Sequence, residues 1–412
     1  DETLPQAVAL LNPKRADNTY PFTELSGCGL AFKLLQGLAQ QLGHPLSQLF
    51  AHLELLVLSI AQDRVSILGE NRTLCYHGLR QLNTSPSVGI SYLMRRGKVR
   101  RGQVDMASIY YELGPRINAA GRMAHGAESV KLLIAEDART AEAQSQILDD
   151  YNRQRQDLDQ EVTRQALALV ESQPALLERK ILVLYHPEWN KGVMGIVAAR
   201  LADRLHRPVI ILARSGEWLA GSARSSGGFD LYAAIQACED CLENFGGHTF
   251  AAGMTVHPDR LELFAERIEA YAHTAGEQAR FLPTLQIDAE LQPQEITKTL
   301  LRQLDMLYPF GTNNERPLFM THRLRDAGGS RAVGRSLQHL NLRLTDYYQR
   351  IRPLHGFALG GARYAGALAR HEAFALCYEL EENNFYAQSF LQLRVKDICL
   401  EGELEQRLLP SR

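Results

Sequence analysis

Residues 181–212, ILVLYHPEWNKGVMGIVAARLADRLHRPVIIL, decide the fold class. Ile181 to Tyr185 and Val209 to Leu212 are short apolar runs with strand character. Between them, Val193 to Leu205 carries apolar residues at helical spacing. A strand, a helix and a second strand in one short segment form a βαβ unit, the building block of an α/β sheet. The loop His186-Pro187-Glu188-Trp189-Asn190-Lys191-Gly192 delivers the chain to the helix N-terminus, which favours an anion. Arg200 falls on the same side of that helix as Val193 and Ile196, toward a cleft. A snorkelling surface arginine gives the same pattern.

Downstream, Trp218 to Ser225 is strand-like and contains Gly221-Ser222-Ala223-Arg224-Ser225. In an extended strand Ser222 and Arg224 point to one side, where a hydroxyl beside a guanidinium makes a weak anion site. A helix is expected near Leu231 to Leu242, stopped by Gly246-Gly247. Those glycines belong to Phe245-Gly246-Gly247-His248-Thr249-Phe250, where free backbone N–H groups and His248 suit a phosphate. A helix C-cap with a structural histidine is the competing reading.

Upstream, residues 127–178 read as one or two long helices with Leu148, Leu158, Val162 and Val170 in an apolar stripe. A helical connector is the plain interpretation. Further upstream, residues 1–85 read as α/β. Gly29 to Gln41 is helical in pattern, Leu53 to Ile60 is buried as strand or helix, and Gly69-Glu70-Asn71-Arg72 is a turn. Beyond residue 280, Leu340 to Leu344, Phe374 to Glu379 and Leu391 to Val395 alternate with turns, as in a small β-barrel.

The chain has 412 residues, 45% hydrophobic and 22% charged, with net charge -2. That balance excludes a uniformly basic binder, yet the charge is uneven. Met94 to Arg122 holds seven Lys or Arg against Asp105 and Glu112, a balance of +5. Thr321 to Arg370 holds nine arginines against Asp326 and Asp346, a balance of +7, interleaved with Tyr347, Tyr348, Phe357 and Tyr364. Arginines for phosphates and aromatic faces for bases suit a single nucleic-acid strand. A solvated basic face over core aromatics reads the same way.

Six scattered cysteines form no disulfide framework, and no apolar run approaches the ~20 residues a membrane helix needs. A reduced, cytoplasmic setting is expected. Cys238 and Cys241 form a lone CxxC, expected to be core rather than zinc ligands. Asp1-Glu2-Thr3-Leu4-Pro5 reads as mid-loop, so the chain is expected to begin inside a longer protein.

Two further constellations carry chemistry. In Gly114-Pro115-Arg116-Ile117-Asn118-Ala119-Ala120-Gly121-Arg122-Met123, small residues let a phosphate approach while Arg116 and Arg122 grip it. A Gly/Ala-rich turn with surface arginines is the equal alternative. Glu54 and Asp63 lie in or beside an apolar run, where a carboxylate is costly unless paired or metal-bound.

Taken in order, these segments resemble the RecJ family of DHH phosphoesterases. The matching stretches are Leu25 to Leu34, Gly69 to Arg72, Pro115 to Met123, His186 to Ile196, Gly221 to Ser225 and Gly246 to Gly253, with Tyr378 to Asn384 and Leu391 to Asp397 as closing strands. The resemblance implies an α/β fold in four parts. These are the C-terminal part of a DHH domain (1–125), a helical connector (126–179), a DHH-associated nucleic-acid-binding domain (180–278) and a β-barrel of OB type (280–412). It implies a 5′-to-3′ exonuclease on single-stranded DNA, active in repair and recombination. A two-metal Mn2+ or Mg2+ centre would activate water. A single-stranded-DNA-binding protein and a helicase are the implied partners. The family's Asp-His-His signature is missing from this sequence, so most metal ligands would lie outside the chain, and Glu54 stands where the last metal aspartate falls. Asn190 stands where the family usually has histidine. The implied DNA-lining residues are Arg116, Asn118, Arg122, Arg200, Ser222, Arg224, Gly246, Gly247 and His248, with His248 also placed in the catalytic group. A nuclease-dead binding relative and a phosphodiesterase for short oligonucleotides or cyclic dinucleotides are the rival implications.

Overall fold

The structure is a computed structural model that describes residues 5–225, 228–274, 284–370, 373–385 and 388–400. These fall into two compact units. One holds the described residues of 1–83, 105–107 and 285–412, the other 84–104 and 108–284.

In the first unit, Ser26 caps helix α1 (Gly27–Leu42) by accepting the Gly29 N–H, and Gly43 ends it in the left-handed region. The Leu53 to Ile60 run is helical. In α2 (Leu53–Gln62), Leu53, Leu56, Val57, Leu58, Ile60 and Ala61 are all buried. Apolar residues all round a short segment suit a helix with core on every side. Helix α3 (Gly69–Thr84) crosses α2 at Gly78, where a Cβ would lie 2.6 Å from the Leu53 carbonyl.

The expected turn at Gly69-Glu70-Asn71-Arg72 is instead the first turn of α3. Its side chains tie the unit together. Glu70 pairs with Lys33 at 3.4 Å and accepts from the Tyr20 hydroxyl. Buried Asn71 donates to the Ser66 carbonyl, and Arg72 donates to the Met306 carbonyl. Polar start residues that read as a turn were anchoring a helix N-terminus.

The second unit begins with α4 (Val88–Arg96). A π-type turn, Ile109–Leu113, then runs directly into α5 (Gly114–Met123). Gly114 donates to the Ile109 carbonyl, five residues back. Pro115 explains the widened turn, since it has no N–H for the Tyr111 carbonyl and its ring would clash there. The Gly/Ala-rich stretch is thus a helix, with Ala119 and Ala120 buried against the long α6 (Ala138–Ser172), not a turn.

The βαβ unit forms as expected: β1 (Leu182–Tyr185), α7 (Lys191–Leu205) and β2 (Val209–Ser215), with β1 and β2 parallel. Asn190 caps α7, accepting from Gly192 N–H at 2.8 Å. β3 (Trp218–Arg224), β4 (Leu242–His248) and β5 (Ala251–Val256) complete a five-stranded sheet in the order β1-β2-β3-β5-β4. Helices α6 and α7 cover one face, packing on Leu182, Leu184, Val209 and Ile211. The other face is covered from Leu231, Ile235, Phe264 and Ile268.

Two expectations fail in this sheet. The helix after residue 231 ends at Gln236, and Cys241 lies in a 3-10 turn. Gly246 and Gly247 do not cap a helix; they are residues of β4, paired with Gly253 and Ala252. Cys238 and Cys241 are both buried, and burial pushes the Cys238 thiol up to about 11, as core cysteines require.

The C-terminal sheet, in the first unit, has strands β6 (Ala289–Glu290), β7 (Phe319–Asp326), β8 (Arg331–Val333), β9 (His339–Asp346), β10 (Leu354–Ala358), β11 (Phe374–Phe385) and β12 (Gln388–Leu400). Their order is β6-β7-β11-β12-β10-β9-β8, and a further β7–β9 pairing partly closes it. In β9, Leu340, Leu342 and Leu344 are buried while Asn341 and Arg343 are exposed, the alternation of a one-sided strand. An OB-like barrel is the result.

Asp346 ends β9 and accepts N–H bonds from Arg350 and Ile351. Burial alone would push its carboxyl up, but these N–H donors hold it below the usual range. A depressed folded pKa adds stability above the unfolded value, near pH 4. That contribution is lost as pH falls through the lower folded value. The wild-type chain should therefore lose melting temperature as pH falls below about 4, and Asp346→Ala, already lower at pH 7, should lose less over the same descent. Parallel melting curves for the two chains would contradict this role.

Candidate nucleic-acid interface

The second unit gathers arginines from four elements along one face of α6. Asp149, Asn152 and Asp159 are buried on that helix. Asp149 accepts from Arg116 of α5 at 3.0 Å and from Arg153 at 2.8 Å. Asn152 accepts from Arg155 at 2.7 Å. Asp159 pairs with Arg200 of α7 at 2.7 Å and with Arg155 at 3.6 Å. The helical period puts these acceptors in a row, where Asp149 and Asp159 fix Arg116 of α5 and Arg200 of α7 while Arg153 and Arg155 of α6 itself fill in between.

Burial pushes the Arg155 guanidinium below its ordinary value; Asp159 opposes the shift, while Arg122, Arg200 and Arg116 add to it. The depression by three neighbours shows that the positive charges share one field.

Arg122 and Arg224 stand at the edge of this group. Arg122 donates to the Gly192 carbonyl at 3.0 Å. Arg224 donates to the Ser222 hydroxyl at 3.1 Å and to the Ala223 carbonyl. Burial lowers the Arg224 guanidinium, and Arg122 lowers it further. Among the described residues no carboxylate lies within ion-pair distance of either arginine. A partly desolvated cation pair without a counter-charge is a site for an anion.

Two glycines make the approach of α7 possible. A Cβ on Gly192 would lie 2.6 Å from the Arg122 carbonyl, and one on Gly195 would lie 2.8 Å from the Arg224 guanidinium. The anion-facing helix N-terminus expected from the sequence is therefore pressed against both arginines.

The sheet register places the remaining site residues. Arg224, Ala251 and His248 form one row across β3, β5 and β4, and Ser222, Gly253 and Gly246 form the next. Gly246 has nothing within 4 Å of a built Cβ, so the sheet surface there is bare backbone open to a ligand. His248 is exposed, and its Nδ1 accepts the Phe250 N–H at 3.3 Å. Gly247 admits no side chain, since a Cβ would lie 2.3 Å from the Ala251 carbonyl.

Of the expected residues, Arg116, Arg122, Arg200, Ser222 and Arg224 lie in this group, with Gly246, Gly247 and His248 two strands from Arg224. Asn118 is exposed on α5 and engaged by a neighbour. Arg155, Asp149 and Asp159 were missed. Their signal was a polar row at helical spacing, which on a connector helix is indistinguishable from a solvated face.

Glu54 belongs to the other unit. It is buried in the first turn of α2, where the helix dipole favours a carboxylate. Among the described residues no group of three or more His, Cys, Asp or Glu side chains is placed to hold a metal ion. The described residues do not by themselves make up a metal centre.

In the C-terminal sheet, Tyr347 and Tyr348 are exposed, whereas Phe357 and Tyr364 are half-buried. Arg325 lies over the Tyr347 ring at 4.1 Å, and Arg350 over Tyr348 at 4.6 Å. Arg363 lies over Tyr364 at 4.8 Å, so three of the four aromatics have faces already paired with cations. No helix among the described residues is long and apolar enough to cross a membrane.

A five-stranded α/β domain, with cations gathered beside its central strand β3, is followed in the chain by a partly closed OB-type sheet. Residues 178–274 match the DHHA1 domain, and residues 287–397 match the RecJ OB domain. The chain belongs to the RecJ family. The single-stranded-DNA-specific exonuclease RecJ of Bacillus subtilis is 34% identical over 316 residues, covering 76% of this chain and 39% of that protein. The Escherichia coli protein of the same name is 31% identical over 342 residues, covering 78% of this chain and 59% of its own length. The crystal structure of RecJ in complex with Mg2+ from Thermus thermophilus superposes with a TM-score of 0.78 at 28% identity, covering 93% of this chain and 57% of that one. A Mn2+ complex from the same organism gives 0.77 at 27%. The chain thus spans about half the length of the relatives it matches.

Proposed function

We propose that this chain binds and positions single-stranded DNA within a metal-dependent 5′-to-3′ exonuclease serving repair and recombination. The observation that carries the reading is Arg224 with Arg122: two adjacent cations, one of them half-buried, without a carboxylate partner among the described residues. The relatives' names supply the substrate, single-stranded DNA, and their structures the metals, Mg2+ or Mn2+.

In this reading residues 1–125 are the end of a DHH domain, 126–179 a connector, 180–278 the DHH-associated domain and 280–412 the strand-binding barrel. Arg116, Arg122, Arg200, Ser222 and Arg224 hold phosphates. Asn118, Gly246, Gly247 and His248 line the strand, and Nδ1 acceptance of the Phe250 N–H leaves Nε2–H of neutral His248 as the donor. Glu54 is proposed as a single contributor to a metal centre completed by residues beyond those described. Such a centre would supply activation of a water molecule. The chain's own residues orient the phosphodiester and neutralise its charge. A cytoplasmic location, a single-stranded-DNA-binding protein and a helicase remain part of the same reading.

The test is equilibrium binding of a 5′-phosphorylated oligothymidine and of its duplex over a salt series. The single strand should bind more tightly, with a log–log slope of about -0.7 per phosphate contacted. A duplex preference, or a flat salt response, would defeat the reading.

The bare sheet surface gives a sharper expectation. A Cβ at Gly246 meets no neighbour within 4 Å and valine suits a strand, so Gly246→Val should fold with unchanged melting temperature. Its side chain would stand where a strand must approach, and oligothymidine affinity should fall several-fold. Unaltered affinity would place the strand elsewhere.

A further inference from the structure

A recess in the same unit shares Arg116, Asp149, Asn152 and Arg153 with the row on α6 and is lined only by polar residues. Its volume is about 330 Å³, and its walls include Arg95, Arg96, Lys98, Arg116, Arg153 and Asp149. Five cations therefore face one carboxylate. Glu112, Glu142 and Asp150 flank it, reaching Arg116, Arg96 and Arg153 only at 3.9, 3.9 and 3.6 Å. Arg95 and Lys98 are exposed, and among the described residues neither has a carboxylate within ion-pair distance.

The backbone at Lys98 is a second observation. Helix α4 ends in a Schellman turn: Val99 N–H donates to the Met94 carbonyl and Lys98 N–H to the Arg95 carbonyl. The left-handed position of that turn is normally glycine. Here it is Lys98, at φ 56°. An L-residue held there is strained, and such strain gathers at functional sites where the surroundings fix it. The turn carries the Lys98 ammonium into the wall beside Arg95, Arg96 and Arg116.

We propose that this recess binds a compact polyanion of two or more linked phosphoryl groups. Its volume is at the small end of ligand sites, enough for a short oligophosphate but not for a run of nucleotides. Its walls are built from charged and amide side chains with no aliphatic or aromatic residue, so the ligand is recognised by its phosphates and not by a base. Five cations against one carboxylate match charges clustered on one small molecule, whereas a DNA strand carries one charge per nucleotide.

The test is calorimetric titration of the chain with tripolyphosphate at constant ionic strength, with ATP, sulfate and oligothymidine in parallel. One site is expected, with ATP equal to tripolyphosphate and sulfate at least tenfold weaker. Arg95→Ala combined with Lys98→Gly should weaken tripolyphosphate at least tenfold. Glycine suits the left-handed backbone, so the melting temperature should be kept or raised. Arg139→Ala, an exposed cation elsewhere on α6, should change nothing. Oligothymidine affinity of the double variant should also be unchanged. Equal losses for oligothymidine and tripolyphosphate would assign the recess to strand phosphates and overturn the proposal. So would millimolar tripolyphosphate without binding, or binding indifferent to the variants. A chain that failed to bind oligothymidine at all would defeat the DNA reading and leave the tripolyphosphate result standing.

Discussion

Asp159→Ala should cost about 3 kcal/mol of folding stability, because it leaves Arg155, with only 11% of its side chain exposed, without its counter-charge. Asp159 has only 2% of its side chain exposed, and it holds Arg200 at 2.7 Å and Arg155 at 3.6 Å. Asn152 would still accept from Arg155, but a neutral amide does not replace a carboxylate. Asp159→Asn should be milder, since it keeps the volume and one acceptor. The control is Glu161→Ala, which breaks an exposed pair with Arg164 and should cost less than ~1 kcal/mol. Urea denaturation followed by circular dichroism measures all three. Equal shifts for Asp159→Ala and Glu161→Ala would show that the polar row on α6 is a solvated face after all.

Arg224→Ala should weaken oligothymidine binding about tenfold or more, the worth of a charged hydrogen bond of ~1.5–3 kcal/mol. Arg224 is oriented by Ser222 and by its neighbour's carbonyl, so little ordering remains to be done when a phosphate arrives. Arg139→Ala is the comparison, an exposed cation in the first turn of α6 whose loss should matter by less than ~1 kcal/mol. Both variants must be folded and measured at one salt concentration, because bulk electrostatics act on both. Equal affinities would mean that the strand does not pass Arg224.

The sheets were legible because period-two burial and apolar runs leave direct traces. Leu340, Leu342 and Leu344 alternate, and Val209 to Leu212 is apolar throughout. The βαβ unit could be read for the same reason. Helix ends were less legible. Gly69 to Arg72 has turn composition, yet its side chains serve a helix start, and Gly246-Gly247 looks like a helix stop but is strand. Both errors come from residues whose local preference is overruled by tertiary partners. The site was half legible. Arg122, Ser222 and Arg224 stand in short patterns, whereas Asp149 and Asp159 act through arginines distant in sequence, and a charge on a long helix carries no mark of what it meets.

The π-type turn at Ile109–Leu113 has a consequence for chain length at that spot. It accommodates one residue more than a regular turn, and Arg116, Asn118 and Arg122 follow immediately. A single-residue deletion inside it, made together with Pro115→Ala to remove the ring that would clash in a regular turn, would heal the turn into ordinary helix and keep the angular phase of the three side chains. The same deletion one turn later, within α5, would rotate everything beyond it by about 100° and swing Arg122 away from Gly192. Indel tolerance in this helix should therefore be confined to one spot, just ahead of Pro115.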